Sequence, residues 1–134
     1  MSAEQRLTYI DSSAIVKLAV AEPESVALRR YLSRRQPLVS SALARTEVAR
    51  ALLPAGREAV ARGEDVLRRI QLLRVNDRVL VEAGRLLPSE LRSLDAIHLA
   101  SAHQFGSAVR QIVTYDERMA AAAEAAGWAV AAPR

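Results

Sequence analysis

Apolar and polar positions follow two rhythms along this chain: short apolar runs that end in a polar turn, and longer stretches with apolar residues three or four apart. The first run, Leu7 to Ile10, has strand-like composition and stops at Asp11-Ser12-Ser13, after which a helical pattern continues through Val20. Pro23 and its acidic neighbours break that helix, and a second is predicted from Glu24 to Arg35, with Val26, Leu28 and Leu32 as its apolar contacts. Pro37 to Ser41 is short enough for a buried strand with its exit turn. Leu43 to Leu53 again reads as helix, ended by Pro54 and Gly56, which places Glu47 in a helix interior.

Arg57 to Leu73 is a long amphipathic candidate with Val66, Leu67, Ile70 and Leu73 as its apolar stripe, and Gly63 marks the point at which it would divide. A brief strand from Leu73 to Val75 precedes a helix from Asp77 to Leu87, closed by Pro88. Leu94 to Phe105 is the clearest later helix, with Asp95 in its first turn and Gly106 at its stop. Gln111 to Thr114 reads as a buried strand ending at Tyr115-Asp116, followed by an alanine-rich helix over 117–126, Gly127 and a last strand from Trp128 to Ala131. Strands alternating with helices predict an α/β fold with a mainly parallel central sheet.

The length of 134 residues suits one domain over 1–134, and no apolar run is long enough to span a bilayer. The N-terminus lacks the pattern of a signal peptide, so a soluble, cytoplasmic protein is expected. There is no cysteine, which excludes disulfides, thiolate metal sites and cysteine nucleophiles. Lys17 is the only lysine among 19 basic residues. GC-rich coding explains that bias as well as function does, although guanidinium groups suit phosphate binding. If four of the 15 acids gather in one pocket, 11 remain against the 19 basic residues, and the rest of the surface is more basic than the formal +4 suggests.

Four acids invite that reading. Asp11 and Asp116 each follow an apolar strand, and in an open parallel sheet the carboxyl ends of strands face a common crevice. Glu47 and Asp95 lie on or at the start of helices that can turn toward the same edge. Singly, Asp11, Asp95 and Asp116 are as well explained as helix caps or turn residues, and Glu47 as an exposed helix acid. Together they would repel one another unless a cation compensates, and Mg²⁺ or Mn²⁺, which take oxygen ligands, are the natural choice. Such an arrangement suits hydrolysis of a phosphodiester.

The segments YIDSSAIVKL, VSSALARTEVARAL, LRSLDAIHLASA and IVTYDERM resemble, in order and spacing, the four motifs of the PIN-domain family, and within it the VapC-type ribonuclease toxins of prokaryotic toxin–antitoxin modules. The resemblance implies a PIN-like three-layer α/β fold and a Mg²⁺-dependent endoribonuclease able to use Mn²⁺. Asp11, Glu47, Asp95 and Asp116 would be its catalytic and metal-holding acids, and Thr114 and Ser12 the hydroxyls beside them. It also implies an RNA substrate, a cognate VapB-like antitoxin and a homodimer.

Ser12 and Ser13 are expected either to bond Asp11 or to cap the helix. His98, one turn from Asp95, is expected to be a structural histidine facing the sheet, His103 a surface or packing residue, and Lys17 a solvated or snorkelling helix residue. The rivals are an RNA-processing PIN nuclease without an antitoxin and, from another class, a phosphoacceptor receiver module, for which Lys17 stands in the wrong place.

Overall fold

The computed structural model describes residues 6–134. Its strands are β1 (Leu7–Ile10), β2 (Leu38–Ser41), β3 (Gln71–Leu73), β4 (Val109–Val113) and β5 (Val130–Ala131). Its helices are α1 (Ser12–Ala19), α2 (Ser25–Leu32), α3 (Ala44–Leu52), α4 (Arg57–Leu67), α5 (Asp77–Arg85), α6 (Ser93–Gln104) and α7 (Glu117–Ala125). All strand pairings are parallel, and the order across the sheet is β3-β2-β1-β4-β5. The chain runs outward from β1 through β2 to β3, then crosses back to lay β4 against the other side of β1. The order therefore reverses between β1 and β4, where a crevice opens at the carboxyl ends of the strands. This order differs from the 2-1-3-4-5 arrangement of receiver modules.

Alternation along the strands divides the core between the two faces of the sheet. Ile10 and Val113 pack with Ile15, Leu28, Val48 and Leu52 of α1, α2 and α3, and with Ala59 and Leu67 of α4. Leu7, Tyr9, Val39 and Ile112 pack on the other side with Leu99 of α6 and with Met119 and Ala123 of α7. A smaller cluster of Val79, Ala83, Ala96 and Ala100 joins α5 to α6. The result is the expected three-layer α/β architecture. Among the described residues, no helix is long and apolar enough to cross a membrane.

Several predicted boundaries shift for local reasons. α2 ends at Leu32 instead of Arg35, because the Arg35 guanidinium and the Gln36 amide donate to the carbonyls of Tyr31 and Leu32 and close its last turn. The stretch predicted as one helix to Leu73 splits into α4 and β3, so Ile70 and Leu72 reach the core from a turn and a strand. The third strand consequently lies over Gln71–Leu73, earlier than Leu73 to Val75. Gly63 does not divide α4. It is buried, and a Cβ there would stand 2.6 Å from Leu52 Cδ1 and 3.0 Å from Val48 Cγ1, so the glycine lets α4 approach α3 closely. β4 begins at Val109, and the last strand shortens to Val130–Ala131.

Candidate active site

The turn after β1 places Asp11 at the reversal point, where its backbone amide donates to the Val113 carbonyl of β4 at 3.3 Å. Asp11 is also the N-cap of α1. Its Oδ1 accepts from the Ala14 amide at 3.2 Å and from the Ser13 hydroxyl at 2.6 Å, while Oδ2 accepts from the Thr114 hydroxyl at 2.5 Å. Burial pushes this carboxyl above its ordinary pKa against the pull of those donors. Thr114 in turn accepts from the Asp116 amide at 3.1 Å, so one hydroxyl ties the ends of β1 and β4 together. Asp116 is the N-cap of α7, with Oδ1 accepting from the amides of Arg118 and Met119 at 2.9 and 3.2 Å.

Asp95, in the first turn of α6, faces the same crevice. Partial burial raises its pKa, and the charges of Asp116 and Asp11 add to the rise, while Arg92 opposes it. The charges of two of the other acids therefore reach Asp95. Glu47 joins from α3 by a different route: its Oε1 accepts from the Ser12 hydroxyl at 2.5 Å and lies 2.6 Å from His98 Nε2. Burial alone would raise the Glu47 pKa, but the hydrogen bond to His98 and its charge, together with Ser12, outweigh it and the net shift is downward.

His98 is buried on α6, and its Nδ1 lies 2.7 Å from the Tyr9 hydroxyl of β1. Burial raises the Tyr9 phenol well above its ordinary pKa, so it pairs with Nδ1 as a neutral hydroxyl. Glu47 in its charged form only accepts, so the ring donates to it from Nε2. The histidine faces the sheet as the sequence suggests, and it also reaches a site acid, which the sequence reading missed. The signal was its position one turn after Asp95, on the same side of a helix.

Ser12 is the other surprise, since it bonds Glu47 while Ser13 bonds Asp11 and the cap is Asp11 itself. Lys17 is mostly buried and donates to both oxygens of Glu24, with its Nζ 4.9 Å from the centre of the Tyr115 ring. It thus lies with its stem covered and its ammonium paired to glutamates at the edge of the surface, as a snorkelling lysine does. His103 is exposed, bonds Glu82 and lies edge-on to Trp128.

The sequence of residues 8–125 matches the PIN domain family. The chain is 61% identical over 125 residues to ribonuclease VapC46 of Mycobacterium tuberculosis, covering 93% of this chain and 96% of that one. The chain belongs to the PIN-domain family, among the VapC ribonucleases. A second M. tuberculosis relative of this PIN domain, ribonuclease VapC35, is 39% identical over 131 residues, with 95% and 97% covered. The PIN fold is matched by the crystal structure of M. tuberculosis VapC20, described as a sarcin-ricin loop cleaving toxin. That match has a TM-score of 0.74 at 18% identity and covers 94% of this chain and 99% of that one.

The donor set of the PIN crevice suits a hard divalent cation, because it consists of carboxylate oxygens that repel one another when charged. Among the described residues, no three histidines, aspartates or glutamates stand ready as a closed metal cage. Mg²⁺ needs none, since it keeps several waters and takes one or two carboxylates with the substrate phosphate completing its shell.

Proposed function

We propose that this PIN domain is a Mg²⁺-dependent endoribonuclease of the toxin type, also active with Mn²⁺, which hydrolyses RNA phosphodiester bonds and is silenced by a cognate VapB-like antitoxin. The observation that supports this reading is the tie of Asp11 to Asp116 through the Thr114 hydroxyl at the reversal point, with Asp95 within reach of both charges and Glu47 braced by Ser12 and His98. Asp11, Asp95 and Asp116 would hold the cation, with Glu47 binding it or orienting water. When bound, the cation supplies an activated water and neutralises charge on the phosphoryl oxygens.

The protein's own groups then have distinct tasks. Ser13 and the Ala14 amide fill both lone pairs of Asp11 Oδ1, while Thr114 takes one of the two on Oδ2 and leaves the other for a ligand. Ser12 and His98 occupy Glu47 Oε1, which leaves Oε2 to accept a proton from the attacking water. That water adds to phosphorus as the opposite P–O bond of the chain breaks. A partner that silences the enzyme would set an arginine beside these acids, since a guanidinium can replace the cation as countercharge. A homodimer is part of the same reading.

RNA cleavage should stop in chelator, return with Mg²⁺ or Mn²⁺, and be abolished by Asp11→Asn in a folded protein. Sequencing the RNA ends made by the parent and not by the variant would identify the cut. Full cleavage in chelator after exhaustive metal removal would refute the mechanism.

A further inference from the structure

The end of the sheet opposite the acids carries a recess lined by charge of one sign. Arg6, leading into β1, Arg34 and Arg35, following α2, and Arg110 of β4 surround a cavity of about 330 Å³ with Thr8, Gln36 and Gln111. No aspartate or glutamate lines it, and among the described residues none of these arginines forms an ion pair. A neighbouring cavity of about 230 Å³ shares Gln36 and adds Arg29 and Arg69, again without a carboxylate.

Part of the recess is braced. The Arg35 guanidinium lies 3.6 Å from the centre of the Tyr31 ring, and its Nη1 donates to the Tyr31 carbonyl at 2.8 Å. The Tyr31 hydroxyl donates to Gln111 Oε1 at 2.5 Å. With its carbonyl oxygen engaged, Gln111 presents its amide N–H groups, so the arginines and this glutamine offer donors and suit an anion. A guanidinium already stacked and bonded loses less freedom when it binds.

We propose that this recess is a phosphate-binding anchor for the RNA backbone, separate from the cleavage site. The proposal rests on the ribonuclease reading above. The acids at the carboxyl edge repel a polyanion, so the attraction that holds RNA must come from elsewhere on the surface. Arg6 and Asp11 flank β1, and five residue steps of extended chain separate the two sites by about 16 Å. One RNA passing around the sheet can engage both.

The test uses the full chain carrying Asp11→Asn, in chelator, so that RNA is bound and not cut. The probe is a short fluorescein-labelled single-stranded RNA of mixed sequence. Adding Arg34→Glu with Arg110→Glu should weaken binding about tenfold and flatten the slope of log Kd against log salt by about 1.4, as expected for two lost phosphate contacts. Arg57→Glu with Arg78→Glu makes the same change in net charge at exposed positions elsewhere. That pair should shift Kd less than about threefold, as expected for distant, screened charges.

Equal losses in the two pairs would overturn the anchor in favour of net charge alone. Unchanged RNA affinity with lost antitoxin binding would overturn it in favour of a protein contact. Inorganic phosphate that binds the recess without changing RNA affinity at constant ionic strength would overturn it in favour of a small-anion site. Cleavage by the parent protein with Mg²⁺ is read separately: if the parent cuts RNA and the arginine pairs behave alike, the anchor alone fails. If the parent cuts no RNA, the ribonuclease reading fails whatever the binding shows.

Discussion

His98 holds Glu47 from α6, with 2.6 Å between Nε2 and Oε1, and is itself held through Nδ1 by the Tyr9 hydroxyl. Tyr9→Phe should leave one side of a buried imidazole without its hydrogen-bond partner and cost about 1–3 kcal/mol. His98→Ala should cost more, since it strands the phenol and opens a cavity. Because both changes break the same chain of bonds, the double variant should lose less than the sum of the two single losses. Urea unfolding of the four proteins measures this, and strict additivity would show that the chain is not a unit. Both single variants should also cut RNA more slowly than the parent with similar KM, because what they disturb is the orientation of Glu47.

Burial disfavours the charged forms of Asp95 and Asp11, and at Asp95 the charges of Asp116 and Asp11 add to it. Asp95→Asn should therefore raise the melting temperature in chelator at neutral pH, and saturating Mn²⁺ should shrink or reverse that gain by stabilising the parent's native site. Asp11→Asn should gain less, since Ser13, Thr114 and the Ala14 amide already favour its charged form. Thermal scans with and without Mn²⁺ decide it. If both variants melt below the parent in chelator and metal leaves the parent unchanged, the clustered-site account is wrong.

The pH dependence of the metal-free protein has two limbs of opposite sign. Asp11 and Asp95 keep their protons to higher pH in the native state than in the unfolded chain. Stability is therefore lost as pH rises from their ordinary value of 3.8 through the raised native values. Glu47 is lowered from 4.5, so it contributes stability above that value which disappears as pH falls through its native pKa. Melting temperature followed against pH in chelator should fall on the rising limb for the parent and fall less for Asp95→Asn. A parent profile that climbs through that limb as steeply as the variant's would contradict the raised values.

Gly63 permits the close contact between α3 and α4. Gly63→Ala gains helix propensity of about 1 kcal/mol, but its methyl group meets Leu52 and Val48 inside a packed core, where overpacking costs about 1–3 kcal/mol. The net effect should be a lower melting temperature. Adding Leu52→Val, which removes the nearer obstacle, should return part of the loss. A Gly63→Ala protein more stable than the parent would show that α4 can shift.

Much of the fold was legible where a local signal and the tertiary outcome agree. β1 matches its predicted bounds because an apolar run stops at a polar cap, and α6 differs only by a residue at each end. The junction of α4 and β3 was not legible, since Val66, Leu67, Ile70 and Leu73 have helical spacing and only packing decides that the last two leave the helix. Gly63 was read as a weak point because sequence registers its low propensity and not the neighbour it admits. The acids of the crevice were visible because strand ends precede Asp11 and Asp116. The link from His98 to Glu47 was not, because it depends on how α3 and α6, which pack on opposite faces of the sheet, both reach its carboxyl edge.

The reversal of strand order that seats β4 beside β1 also sets a timetable for synthesis. Asp11 and the hydroxyl that steadies it are 103 residues apart, so the first three strands leave the ribosome while the seat for β4 is still vacant. Until the last part of the chain emerges, neither Thr114 nor Asp116 can reach the crevice. A chain ending before Val109 should accordingly leave cellular RNA intact when expressed. Translation itself thus acts as a safety catch, because the crevice is not assembled until synthesis has almost finished.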